Sequence, residues 1–375
     1  MSLPRTYLDW NATAPLRPEA RAAWVAALDL VGNPSSPHAE GRRVRAVVED
    51  AREEVAALVG ARSAEVVFTS GGTEANNAIL AGGWDAIFLT GLEHDSVRAP
   101  ARNSKARVVE LPVGASGVVR SAVLDGHAQP MRGRRALVSL QMANNETGVL
   151  QPVARVAAMA KAHGLSIHTD AVQAAGRIAV DFETLGVDFL SLSAHKLGGP
   201  KGVGALVIRE SASLPAYIAG GGQERRRRAG TENVPAIAGF GAAARAAGRD
   251  LAAMHRVRVL RDRLEAGIRA LTPAAVVVGA EAERLPNTTN VALPGTSAET
   301  LVIALDLAGV AVSAGAACSS GKVGTSHVLE AMGLEPGLAR RAIRVSLGWG
   351  STERDVAAFL EAWSHVAARR ERAVA

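Results

Sequence analysis

A single cysteine, Cys318, occurs in the 375 residues, which excludes an internal disulfide and any paired-cysteine metal or redox centre. Whatever Cys318 does, it does as one thiol, and no metal site is expected. Lysine is nearly as scarce. Only Lys105, Lys161, Lys196, Lys201 and Lys322 occur, so almost all of the 42 basic residues are arginine. No apolar run approaches the roughly 20 residues that cross a bilayer, and the opening MSLPRTYLDWNATAP lacks the apolar stretch of a signal peptide. A cytoplasmic protein without membrane contact is expected. The chain also lacks repeats, low-complexity tracts and Pro/Ser-rich linkers.

The net charge of +6 and a pI near 10.0 permit contact with nucleic acid, but net charge speaks to solubility and association and selects no partner. The arginines are spread among alanines. The run Arg225 to Arg228 has no aromatic neighbour for base stacking, so direct nucleic-acid binding is not expected.

With 48% hydrophobic residues, the chain exceeds what one core usually serves, and two domains are expected. Val44, Val47, Val48, Ala51, Val55 and Leu58 recur at helical spacing. Short apolar runs then read as buried strands: Val66–Ser70, Ala86–Thr90, Val108–Val113, Ala136–Ala143, Ser166–Ala171, Phe189–Ala194 and Ala205–Arg209. Helical stretches such as Val153–His163 separate several of them. That alternation predicts an α/β domain with a mostly parallel sheet and ligands at the carboxyl ends of its strands. Near Gly248–Arg256 the texture changes. Strands at Ala275–Gly279, Thr288–Leu293, Val310–Ala314 and Ile343–Leu347, with helices at Ala298–Ala308 and from Glu353 onward, predict a smaller α+β domain. A cleft between two packed domains is a natural small-molecule site.

Four segments carry chemistry. VVFTSGGTEANNAIL runs strand, glycine turn, helix, so Gly71, Gly72 and Thr73 either cradle a phosphate at a helix N-terminus or form a simple threonine cap. No P-loop or GxGxxG pattern is present in it to favour ATP or a dinucleotide. SIHTDAVQAAG delivers Asp170 to a strand end, with Gln173 in the next turn. Asp170 is either a helix cap or the partner of a protonated ring nitrogen. In FLSLSAHKLGGPKGVGALVI, Ser193, His195 and Lys196 lie in a loop between apolar strands, where a desolvated lysine can form a Schiff base. Lys201 beside it reads as a surface charge. VAVSAGAACSSGKVGTSHVL sets Cys318 among small and polar residues. It is either a small buried hydrophobe or an accessible thiol able to attack and then carry sulfur. Finally, RVSLGWGS puts Arg344 on a strand, where its planar fork suits a carboxylate.

Taken together and in order, YLDWNATAP, NPSSPHAEG, FTSGGTEANNAI, EHDSV, NNETGVLQPV, HTDAVQAAG, SAHKLGGPKGVGAL, RRAGTENVPAIAG, SAGAACSSG, SHVLEAMG and RVSLGWGSTERDV resemble the class V aminotransferase family of fold-type I pyridoxal-phosphate (PLP) enzymes. Within it they are similar to the cysteine desulfurases of the NifS and IscS kind. The resemblance covers nearly the whole chain. It implies a PLP-dependent transferase fold of type I, with a seven-stranded, mostly parallel sheet in a large domain over residues 14–250 and a small α+β domain over 251–375, joined by residues 1–13. It implies pyridoxal 5'-phosphate as cofactor, with Lys196 as the lysine that carries it, Asp170 on the pyridine nitrogen, Gln173 on the phenolic oxygen and His94 stacked over the ring. Gly72, Thr73, Ser193 and His195 would hold the phosphate, joined by Thr231 from the partner subunit of a homodimer. Asn145 and Arg344 would orient L-cysteine, and Cys318 would be the nucleophile that passes sulfur to an acceptor such as an iron–sulfur scaffold protein. Ala14 stands where the family's NATTP motif has a second threonine, a change that touches no implied catalytic role. The spacing from Cys318 to SHVL is similar to that of the longer-loop desulfurases. A selenocysteine lyase, an aminotransferase with an incidental Cys318, and an inactive scaffold are the alternatives.

Overall fold

The computed structural model describes residues 5–128, 133–315 and 325–374, leaving aside the side chains of 127, 128 and 369–374. A two-residue strand, β1 (Thr6–Tyr7), precedes helices α1 (Pro18–Leu28) and α2 (Ala39–Leu58). Alternation then sets in: β2 (Val66–Thr69), α3 (Gly72–Leu80), β3 (Ala86–Thr90), α4 (Asp95–Asn103), β4 (Arg107–Leu111), α5 (Val123–Ala128) and β5 (Ala136–Ser139). It continues through α6 (Val153–Ala162), β6 (Ser166–Asp170), α7 (Phe182–Leu185), β7 (Phe189–Ser193) and β8 (Gly204–Ile208). Helices α8 (Val234–Arg249) and α9 (Met254–Leu271) lead to β9 (Val276–Val277), β10 (Thr288–Ala292), α10 (Ala298–Leu307), β11 (Val310–Ala311) and β12 (Ser313–Ala314). The chain closes with α11 (His327–Ala331), α12 (Pro336–Ala339), β13 (Ala342–Ser346) and α13 (Glu353–Val374).

The seven-stranded sheet has the order β2-β8-β7-β6-β5-β3-β4. Only β8 runs against its neighbours, pairing antiparallel with both β2 and β7; the other pairings are parallel. Because helices cover both faces, the inner strands are buried on both sides: β3 (AIFLT) and β8 (GALVI) are mostly apolar runs, whereas β6 (SIHTD) and β7 (FLSLS) bury polar residues as well. One face packs Val44, Val48 and Val55 of α2, Val156 of α6 and Phe240 of α8. The other takes Ile79 of α3 and Val97 of α4. A polar ladder crosses the sheet interior, where His168 on β6 meets Ser139 Oγ on β5 and Ser191 Oγ on β7, each at 2.9 Å. Burial pushes the His168 imidazole down to about 3, so it is neutral and serves as a hydrogen-bonding spacer.

A second core gathers Leu8 with Val257, Leu264, Leu301, Val345, Phe359 and Trp363. Its sheet has the order β12-β13-β10-β9. The run expected as one strand, Val310–Ala314, divides: Val310–Ala311 pairs parallel with β1, while Ser313–Ala314 pairs antiparallel with β13. The chain changes partner at Val312, and a single apolar run carries no mark of that switch. The N-terminal arm thereby lies against residues more than 300 positions away, with Asp9 bridging to Ser346.

Between β8 and α8, three consecutive non-glycine residues, Glu224, Arg225 and Arg226, take left-handed φ angles of 44°, 55° and 63°. That conformation is strained for side chains bearing a Cβ. It is fastened from inside: Arg52 holds Glu224 through two bonds of 2.7 and 2.9 Å, and Phe68 N donates to the same carboxylate at 2.8 Å. All three groups are buried. The arginine run from Arg225 to Arg228 is thus anchored by the glutamate that precedes it.

Candidate active site

The carboxyl ends of the parallel strands converge on one edge of the sheet, where α/β proteins bind ligands. A cavity of about 350 Å³ opens there, lined by Gly72, Thr73, His94, Asn145, Asp170, Gln173, Ser193, His195, Lys196 and Arg344, among others. These ten were singled out from the sequence alone. Thr231 does not line it; it belongs to a separate pocket of about 190 Å³ with Glu224, Arg228 and Asn233. The expectation placed Thr231 in the site of a second copy. Cys318 lies outside the described residues.

At one end stands the start of α3. Its cap is Gly71, without a side-chain bond to the helix, so the threonine-cap alternative is corrected: Thr73 lies inside the first turn and lines the cavity. A Cβ on Gly72 would come within 2.9 Å of Val172 Cγ2, and one on Gly204 within 2.6 Å of the Gly71 backbone. Side chains at either position would fill or shift the cradle. Ser193 and His195 complete it. Burial, then the charges of Lys196, Lys201 and Arg177, push His195 down to about 4. It is therefore neutral and offers hydrogen bonds; its Nδ1 lies 3.2 Å from Thr13 Oγ1.

Asp170 ends β6. Its carboxylate accepts from Val172 N at 2.9 Å and from Asn76 Nδ2 at 2.8 Å. The first is the local turn bond of the cap reading; the second comes from another element and holds the carboxylate at the cavity. Lys196 follows β7 in a short 3₁₀ turn (Ala194–Lys196). Its Nζ donates to the carbonyls of Asn11 at 2.6 Å and Ala12 at 2.8 Å. His94 caps α4, its Nδ1 accepting from Ser96 N at 3.1 Å, which leaves Nε2 to carry the proton. Burial lowers its pKa, with Lys196 adding to the shift and Asp170 opposing it.

The opposite wall comes from the second sheet and the arm. Arg344 on β13 donates to Asp9 Oδ1 at 2.7 Å and to the Asn145 carbonyl at 3.1 Å. Its Nε is buried without a partner among the described residues, a donor that an incoming carboxylate would satisfy. Asn11 ties this wall together, its side chain donating to Asn145 O at 3.1 Å and Thr288 Oγ1 at 2.9 Å.

The sequence reading missed several residues here. Asn76 sits three positions after Thr73, on the same helix face, and its Oδ1 is buried without a partner among the described residues. That i, i+3 spacing was its only signal. Glu93, wholly buried under His94, is pushed up to about 8 by burial and by Asp170, while Thr90 Oγ1 and Gln141 N donate to it. Arg177, Ser96 and Gln141 showed no signal apart from their polarity.

The donor set fits PLP. Helix N–H groups, two hydroxyls and a neutral histidine suit a phosphate, a carboxylate at the far side suits a pyridinium, and a lysine between them suits an aldehyde. Among the described residues no cluster of metal-binding side chains occurs, and no helix is long and apolar enough to cross a membrane.

Known proteins match nearly the whole chain. The Aminotransferase class-V family matches residues 6–359. A cysteine desulfurase of Sinorhizobium fredii is 42% identical, over 93% of each chain, and an IscS-like cysteine desulfurase of Mycobacterium tuberculosis is 39% identical, over 98% of this chain and 97% of its own. The crystal structure of a NifS-like protein from Rickettsia africae superposes with a TM-score of 0.88 at 35% identity, covering 96% of this chain and 99% of that one. Full-length matches at this identity, on a fold already seen to gather a PLP donor set, leave one assignment: the chain belongs to the class-V aminotransferase family of PLP-dependent enzymes.

Proposed function

We propose that this chain is a cysteine desulfurase that converts L-cysteine to L-alanine and leaves the sulfur as a persulfide on Cys318. The observation that carries it is the cavity that unites Thr73, Asp170 and Lys196 with Arg344, whose buried Nε awaits an acceptor. Gly72, Thr73, Ser193 and His195 would hold the cofactor phosphate, Asp170 the ring nitrogen and Gln173 the phenolic oxygen, with His94 beside the ring. Bound PLP supplies an electron sink for the substrate's Cα–H bond. Arg344 and Asn145 orient the substrate carboxylate, and the Lys196 amine takes the Cα proton. Cys318 as thiolate attacks the substrate sulfur, so an S–S bond forms as the C–S bond breaks, and the carbon fragment gains protons to leave as alanine. Thiol plus cysteine gives persulfide plus alanine, with no external oxidant or reductant.

The same reading gives two domains, residues 14–250 and 251–375 with 1–13 attached, and both contribute to the cavity, the second through Arg344. It gives a cytoplasmic homodimer in which Thr231 reaches the partner subunit's phosphate site, and a protein sulfur acceptor such as an iron–sulfur scaffold.

Cys318→Ala tests it. The variant is expected to bind PLP with an unchanged visible spectrum and to make no alanine from cysteine. The unaltered enzyme, given cysteine without reductant, should gain one sulfur atom on the peptide holding Cys318, removable by dithiothreitol. Alanine formation by the variant at the original rate would hand the chain to another class-V chemistry.

A further inference from the structure

Arg177 lies beneath the cavity and does not line it. Its side chain is buried, and its hydrogen-bond partners among the described residues are all neutral oxygens: the Gln173 carbonyl at 2.8 Å, Gln173 Oε1, and the carbonyls of Trp10 and Lys196 at 3.4 Å each. Burying a guanidinium on neutral acceptors is costly, and an apolar side chain would plug the same space without that cost. The arrangement therefore needs a reason beyond packing.

Gln173 supplies it. Its amide oxygen is taken by Arg177, so the amide cannot turn that oxygen toward the cavity. Its Nε2 donates one proton to the Asn11 carbonyl at 3.1 Å and has a second to give, and Gln173 lines the cavity. An amide free to flip would present an acceptor half the time to whatever oxygen faces it. A fixed cation on the amide oxygen removes that choice and polarises the N–H.

We propose that Arg177 is a positioning residue: through Gln173 Oε1 it sets the amide donor-first toward the phenolic oxygen of PLP, and through the Lys196 carbonyl it keeps the cofactor lysine in register with that amide. The proposal rests on the reading of Gln173 as the phenolic-oxygen ligand. Burial pulls the Arg177 guanidinium down to about 9, still cationic at neutral pH, so the device works across the enzyme's range.

The test compares PLP with 3-deoxypyridoxal 5'-phosphate, which lacks the phenolic oxygen, by equilibrium binding to cofactor-stripped full-length protein. Arg177→Met should weaken PLP about tenfold or more, the worth of a hydrogen bond to a charged group, and should weaken the deoxy analogue far less. Gln173→Ala should show the same selectivity loss, and the double variant should be no worse than the worse single, since both remove one interaction. Arg177→Lys keeps a buried cation without the fork, so it serves if the methionine variant does not fold; it should lose part of the discrimination. If the Arg177 variants weaken both ligands equally while Gln173→Ala discriminates, Arg177 merely props the fold and the proposal falls, with the Gln173 reading intact. If Gln173→Ala fails to discriminate, the Gln173 reading is the one that fails and the relay goes with it. Neither outcome depends on cysteine turnover.

Discussion

The wall of the cavity that carries Thr73, Asp170, Gln173, Ser193 and Lys196 grows from the carboxyl ends of neighbouring strands, whereas the wall that carries Asn11, Asn145 and Arg344 is assembled from the N-terminal arm, the loop after β5 and the last strand. On the first wall each functional side chain follows an apolar strand within the same short segment. On the second, Arg344 is held by Asp9, 335 positions away. The wall proposed for the cofactor is encoded locally, and the one proposed for the substrate by long-range closure. Changes on one wall should leave the chemistry of the other measurable.

The largest effect is expected from breaking the first wall at its centre. Lys196→Ala should lower turnover by more than about 1,000-fold, because the residue proposed to move the Cα proton is lost, and borohydride should no longer fix PLP to the chain. Lys201, exposed beside it, is the only nearby substitute among the described residues. A reducible adduct and turnover persisting in Lys196→Ala would move the assignment there.

Breaking the second wall should separate the two. Arg344→Lys keeps the charge but loses the fork that spans Asp9 and the Asn145 carbonyl, and the KM for cysteine should rise about 10- to 100-fold. The visible spectrum and PLP affinity should not change. A matching loss of PLP affinity would show that the walls are not independent.

Acid sharpens the contrast, because His168 underlies the sheet wall. With its folded pKa pushed down to about 3, the unfolded chain takes up a proton below about pH 6.5 that the folded chain refuses. Stability is intact above that pH and drains as pH falls toward 3. His168→Asn should flatten the fall by up to about 3 kcal/mol between pH 6.5 and 4, read from urea midpoints at each pH. An unchanged slope would assign the acid sensitivity to other groups.

The smallest effect lies away from both walls. Arg226 holds φ of 63° on the surface, where glycine avoids the Cβ clash, so Arg226→Gly should raise stability by about 0.5–1 kcal/mol with activity unchanged. A lower melting temperature would mean that the arginine side chain stabilises the turn.

The same division explains how much could be read from the sequence. The large sheet was legible because most of its buried strands are short apolar runs bounded by turns, and the ten residues at the cavity because each belongs to a segment with its own chemical logic or family likeness. Thr73 was misread as a possible cap because the helix begins one residue earlier, at a glycine with no side chain to signal it. Arg177 and Asn11 were illegible as site residues: their partners are mostly carbonyl oxygens and side chains of distant segments, and carbonyls have no sequence. The split at Val312 was hidden for a related reason, since an apolar run says that it is buried and not against which strand.

The N-terminal arm also sets a clock. Asn11 and Asp9 leave the ribosome early, yet their partners Thr288, Arg344 and Ser346 are among the later residues made. The sheet wall, whose strands all precede residue 209, can form while synthesis continues, but Arg344 cannot be seated until nearly the whole chain has emerged. A nascent chain can thus build the sheet wall of the cavity well before Arg344 and its partners on the opposite wall are in place.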